Sequence, residues 1–147
     1  MQITKPATSW WFWVLAVAAV LWNLIGVADY LGYTLGGEAY LDRLREADPA
    51  VADYMASMPA WRVALWALGV WGSLAGAVLL VARRRWSVPA YVVGLVGIVV
   101  GLLLDLLVSG LGPLYHGVQL FMSLVIVVLA LLQLWFARAM QQLGLLR

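Results

Sequence analysis

The sequence predicts an all-α membrane protein, an antiparallel bundle of four transmembrane helices with both termini cytoplasmic and short amphipathic helices in the first external loop. Three observations predict it. The single domain, 1–147, is 65% apolar and only 11% charged, against about 45–50% and about 25% in soluble proteins. The apolar residues fall in four runs long enough to cross about 30 Å of hydrocarbon. Within the runs, glycine, alanine and the few polar residues recur at intervals of three and four, so they share helix faces.

The first span is expected over 9–31, after Lys5 and Pro6. Ala16-Val17-Ala18 has the small residues of a leader cleavage site, but it lies inside an apolar run too long for a leader, so a retained anchor helix is expected. Trp10, Trp11 and Trp13 at its start suit the headgroup level. Ala16, Ala19, Asn23, Gly26 and Tyr30 share the face expected to meet other helices. The Asn23 amide needs a partner across the bundle, and Asp29 lies near the far end, within reach of interfacial water.

The external loop, 32–59, holds five of the seven acidic residues. Gly36-Gly37 is expected to break the chain, and Asp48-Pro49 to start a helix, with an N-cap carboxylate followed by proline. Tyr40, Leu41, Leu44, Tyr54 and Met55 are expected to turn towards the membrane. The loop suits a solvated connection or, alternatively, a lid or docking surface.

The second and third spans are expected over 60–82 and 88–108. Gly69, Gly72 and Gly76 share a face of one, while Gly94, Gly97, Gly101 and Asp105 share a face of the other. Glycine at this spacing lets helix backbones approach closely. The short connection favours packing of these two spans on each other over a seam between copies. That connection begins Arg83-Arg84-Arg85, the topology determinant, since cytoplasmic loops are rich in Lys and Arg. Phosphate binding is a further use for the triplet, although cytoplasmic retention is enough to explain it. With this loop inside, Lys5, Arg138 and Arg147 are also inside, and Arg43, Arg45 and Arg62 are outside.

The fourth span is expected over 114–140, after a turn at 109–113. His116, Gln119, Ser123, Ile126, Ala130, Gln133 and Ala137 alternate at three and four, and such a seam faces protein or water. Asn23, Asp29, Asp105, His116 and Gln119 then all fall in the outer half, as a candidate polar pocket, with Asp105 and His116 at similar depth. Asp105 and His116 would share a proton or an ion pair there; the alternative is a structural Asp105, hydrated or bonded to Tyr115, Ser109 or Asn23. Gln133 is expected alone in the inner half, which leaves no polar path across the bilayer and weighs against a pump or channel.

Other classes are disfavoured. Without cysteine and with one histidine, thiolate chemistry is excluded and no metal site or cofactor is expected. No catalytic set or phosphate loop is present, so no enzyme is expected. The formal charge of +2 provides no basic face for nucleic acid. The expected partners are the lipid bilayer and either a membrane protein or a second copy.

Trp22-Asn23-Leu24-Ile25-Gly26-Val27 with Asp29-Tyr30, Met58-Pro59-Ala60-Trp61, Trp66-Ala67-Leu68-Gly69-Val70-Trp71-Gly72 and Arg83-Arg84-Arg85-Trp86-Ser87-Val88-Pro89 resemble a family of small bacterial four-span inner-membrane proteins often labelled "sugar transporter". The resemblance covers the first two spans and the loop to the third, and stops short of Asp105 and His116. It implies a multi-pass protein of the cytoplasmic membrane and transfers no binding residues. Two functions follow as expectations. One is an accessory or interaction subunit of a membrane assembly or homo-oligomer. The alternative is a small-solute or proton-coupled transporter with an outward-facing polar pocket.

Overall fold

The computed structural model describes residues 9–109 and 117–147. Among these the chain is helical without strands: α1 (Trp10–Ala47), α2 (Pro49–Ala56), α3 (Ala60–Val81), α4 (Ser87–Ser109) and α5 (Gly117–Gln142). All but α2 are long and apolar enough to cross a membrane. Lys5, His116, Tyr115 and the turn expected at 110–113 lie outside the described residues.

α1 differs from the expected span. Helix continues past residue 31, and the break falls at Gly37 alone, with φ 51 and ψ −134. Side chains are strongly disfavoured there, whereas glycine adopts it readily. Beyond Gly37 the chain folds back, so the Tyr40 ring lies 3.2 Å from where a Cβ on Gly32 would sit, and the Tyr40 Cβ lies 3.0 Å from where one on Gly36 would sit. α2 then starts at Asp48, whose carboxylate accepts from the amides of Ala50 and Val51 at 3.1 and 3.2 Å, with Pro49 in the first turn.

Tyr40, Leu41, Leu44, Tyr54 and Met55, the residues expected to turn towards the membrane, pack together against the protein's own helices. Leu41, Val51 and Met55 are buried in one cluster, with Tyr33, Tyr40, Leu44, Tyr54, Met58 and Trp66 packed around them. The apolar faces of the 38–56 segment meet the ends of α1 and α3. This removes them from solvent without needing lipid.

α3 and α4 form the tightest pair. Their register runs in opposite directions: Gly76 beneath the Tyr91 ring, Gly72 against Gly94, and Gly69 against Gly97. A Cβ on Gly72 would sit 2.7 Å from the Gly94 nitrogen, and one on Gly97 would sit 2.6 Å from the Gly69 nitrogen. The backbones are in contact, so dispersion and Cα–H contacts act over the whole seam. Buried Ser87 closes its end by donating to the Gly76 carbonyl at 2.8 Å.

α1 packs on α3, and α5 packs mainly on α4. Near the arginine loop Phe12, Ala16, Ala77, Leu80, Tyr91, Leu134, Ala137 and Leu146 form a second buried cluster, with Phe12 and Phe136 in ring contact between α1 and α5. The Tyr91 hydroxyl is buried there without a hydrogen-bond partner among the described residues. An orphaned hydroxyl in an apolar core is a net penalty. Tyr91→Phe keeps the ring on Gly76 and is expected to raise stability by about 1 kcal/mol, read as a higher unfolding midpoint in detergent; an unchanged or lower midpoint would mean that the hydroxyl is satisfied.

Candidate functional site

A cavity of about 510 Å³ opens between the helices at the end away from the arginine loop. α1 contributes Trp22, Asn23, Gly26 and Asp29, α2 contributes Val51, Tyr54 and Met55, and α3 contributes Arg62, Trp66 and Ser73. Ile98 and Leu102 of α4 and Gln119, Ser123, Ile126 and Gln133 of α5 complete it. The lining is largely apolar, with amides, hydroxyls and aromatic faces set into it.

Arg62, Asp105 and Tyr54 form one wall. Arg62 Nε donates to Asp105 Oδ2 at 2.6 Å, and the Tyr54 hydroxyl donates to Asp105 Oδ1 at 2.8 Å. The aspartate side chain is only 3% exposed and the arginine 12%, so this is a buried ion pair with both carboxylate oxygens engaged. Gly101 makes it possible, because the Arg62 guanidinium lies over the bare backbone there, 3.2 Å from where a Cβ would be. Among the described residues the partners of Asp105 are Arg62 and Tyr54, while Asn23 bonds elsewhere; the expected partners His116, Tyr115 and the Ser109 side chain lie outside the described residues. An arginine at the first turn of α3 supplies a full counter-charge, which no neutral side chain matches.

Burial first, and then the bond to Asp105, push the Tyr54 phenol above its ordinary 10.0, while the Arg62 guanidinium partly opposes this. The phenol therefore stays protonated and donating across the physiological range. Its stabilising share is complete below the unfolded value and fades only as pH rises towards the elevated one.

Asn23 and Gln133 meet at the depth of the cavity nearest the arginine loop. Asn23 Nδ2 donates to Gln133 Oε1 and to the Ala19 carbonyl, both at 2.7 Å. Gln133, expected alone in the inner half, thus accepts one hydrogen bond that joins α5 to α1.

Of the other pocket residues expected from the sequence, Asn23, Asp29 and Gln119 line the cavity. Asp29 is exposed at its edge and accepts from the Tyr40 hydroxyl at 2.8 Å. Asp105 stands behind Arg62, and His116 lies outside the described residues. Gly69 and Gly97 reach the lining from the helix seam, while Arg83, Arg84 and Arg85 lie at the opposite end. Arg62 and Tyr54 were missed as site residues, and one signal was present for the first. Arg62 lies 22 residues before Arg84 and Asp105 lies 21 after it, so an antiparallel hairpin places them at one depth. Tyr54 had no such signal, because only the fold-back of α2 brings it there.

With the wall charge internally compensated, the site offers neutral hydrogen-bonding groups beside the aromatic faces of Trp22, Trp66, Tyr40 and Tyr54. Among the described residues, no three His, Cys, Asp or Glu side chains come together as a metal would require. The four long apolar helices indicate a multi-pass membrane protein. No protein-family model matches the chain, and neither a curated protein nor a solved structure matches it.

Proposed function

We propose that this chain is a small-solute carrier of the bacterial cytoplasmic membrane, built as an antiparallel four-helix bundle with both termini inside and the cavity facing out. The cavity carries the reading. A space of about 510 Å³ is in the range of small-molecule pockets, which are apolar with a few placed polar groups. The charge distribution supports the orientation, with Arg83, Arg84, Arg85, Arg138 and Arg147 at one end and the five acids of the external segment at the other.

The chemistry of the lining favours a neutral solute. Asn23, Gln119, Ser123 and Gln133 offer donors and acceptors without net charge, and the indole and phenol rings offer flat apolar faces. A sugar, the solute named in the label of the resembled family, has the matching hydroxyls and C–H faces. Asp105, engaged at both oxygens, serves as the counter-ion of Arg62 rather than as a proton carrier. A carrier of this size would act as a dimer to build alternating access.

The second reading is the accessory or interaction subunit. It draws on the seating of α5, which is held mainly by α4 and turns Gln119, Ser123 and Ile126 towards the cavity; a helix of another membrane protein would fit the same cleft. Native mass spectrometry on protein drawn gently from its own membranes separates the two. A carrier is expected as a lone dimer that binds small neutral solutes, with binding lost in Ser123→Trp at unchanged fold. A stoichiometric protein partner, or solute binding that Ser123→Trp leaves intact, would overturn the carrier reading.

A further inference from the structure

We propose that the Arg83-Arg84-Arg85 turn, with Arg147 fastened to it, forms a binding site for the phosphodiester headgroup of an anionic phospholipid. Net retention of a loop requires only charge. Here the fold adds construction. The Arg147 amide donates to the Arg83 carbonyl at 2.8 Å, and the Arg85 amide donates to the Arg147 carbonyl at 2.7 Å. Arg83 Nε donates to the Leu145 carbonyl at 3.2 Å. Leu145 and Leu146 are buried, so the tail is held by its side chains as well. An arginine 62 residues away in sequence from Arg85 is thereby held against the turn.

The turn itself is fixed by backbone hydrogen bonds. Arg83 has φ 56 in a helix-ending motif in which its amide bonds Leu80 and the Arg84 amide bonds Leu79, at 2.9 and 2.8 Å. Glycine is the usual residue at that position, and here an arginine side chain stands there instead.

Among the described residues no acidic side chain pairs with these arginines. All seven acidic residues lie between 29 and 53 or at 105. Asp105 is bound to Arg62, and Arg62 is 21 helical residues from Arg83, or about 30 Å. Arg84, Arg85, Arg138 and Arg147 are exposed. An α-carboxylate on Arg147 would offset only one charge of the group. The counter-charge must come from outside, and the site stands at headgroup level: Trp86 beside it is 64% exposed, and Trp10 and Trp11 are exposed and stacked on α1, whose start meets the end of α5 through Phe12 and Phe136. Guanidinium forks match phosphate oxygens, and basic clusters at membrane ends of helices bind anionic headgroups.

The test is retention of phosphatidylglycerol against phosphatidylcholine of the same acyl chains, by native mass spectrometry and by thermal stability in mixed micelles. Wild-type protein is expected to retain phosphatidylglycerol selectively and to unfold at higher temperature with it. The double variant Arg84→Gln with Arg85→Gln should weaken retention by about fivefold per arginine removed, the equivalent of about 1 kcal/mol each, at unchanged stability in neutral lipid. Arg43→Gln with Arg45→Gln, at the other end, should leave retention unchanged. Equal retention of both lipids, equal loss in the two double variants, or the same thermal shift from inorganic phosphate would overturn the proposal.

Discussion

Asp105→Ala is expected to destabilise the protein by about 3–5 kcal/mol, the range for removing one partner of a buried ion pair. The substitution leaves the Arg62 guanidinium, 12% exposed, without its counter-charge, and leaves the Tyr54 hydroxyl without its acceptor. The double substitution Arg62→Leu with Asp105→Leu is expected to recover most of that loss. The attraction of such a pair roughly balances the desolvation of its members, and two apolar side chains avoid both. A double-mutant cycle on unfolding midpoints in detergent measures the coupling. If the single and double variants were equally unstable, the two charges would not be acting as a buried pair. Tyr54→Phe tests the third member, with an expected loss of about 1.5 kcal/mol for a hydrogen bond to a charged acceptor. Because Tyr54 ties α2 to α4, the same variant is also expected to expose the 48–58 segment to faster proteolysis.

Gly97→Leu is expected to be as severe, because the contact it invades is backbone on backbone. A Cβ at Gly97 would lie 2.6 Å from the Gly69 nitrogen and 2.8 Å from the Leu65 carbonyl oxygen. Neither can rotate away as a side chain would, so α3 and α4 must separate along their length. Overpacking a core usually costs about 1–3 kcal/mol; a forced separation of the tightest helix pair belongs at or beyond the upper end. Gly94→Val should behave similarly, because its Cβ would collide with Ser73. Gly26→Ala is the control. Its Cβ would meet only Val70 Cγ1 at 3.6 Å, an ordinary contact, and alanine favours helix by about 1 kcal/mol. Thermal midpoints and the fraction of monodisperse protein are the measurements. A Gly97→Leu protein that stays folded but falls from dimer to monomer would move the seam from within one chain to between two chains.

Most of the secondary structure was legible because composition and period are local properties. Four apolar runs with 3–4 spacing of small residues specify helices long enough for a bilayer whatever else the chain does. Gly37 and Asp48-Pro49 are likewise local: one needs a backbone region closed to side chains, the other satisfies free amides. The end of α1 was less legible, since Gly36-Gly37 marks a break without showing that helix persists up to it.

The depth match of Arg62 and Asp105 about the Arg83-Arg84-Arg85 turn was present in the sequence as arithmetic. Pattern along single helices obscures it, because each residue looks like an isolated charge near an interface. What only the tertiary structure decided were contacts set by long excursions of the chain. The fold-back at Gly37 and the cap at Asp48 deliver Tyr54 to Asp105; the seating of α5 on α4 and α1 brings Gln133 to Asn23; two buried leucines bring Arg147 to Arg83 and Arg85. Sequence spacing ranks which residues share a face, and hydrophobic burial selects the faces that close. Which polar group meets which depends on helix rotation and on the path of connecting segments, and those are fixed only when the whole chain packs.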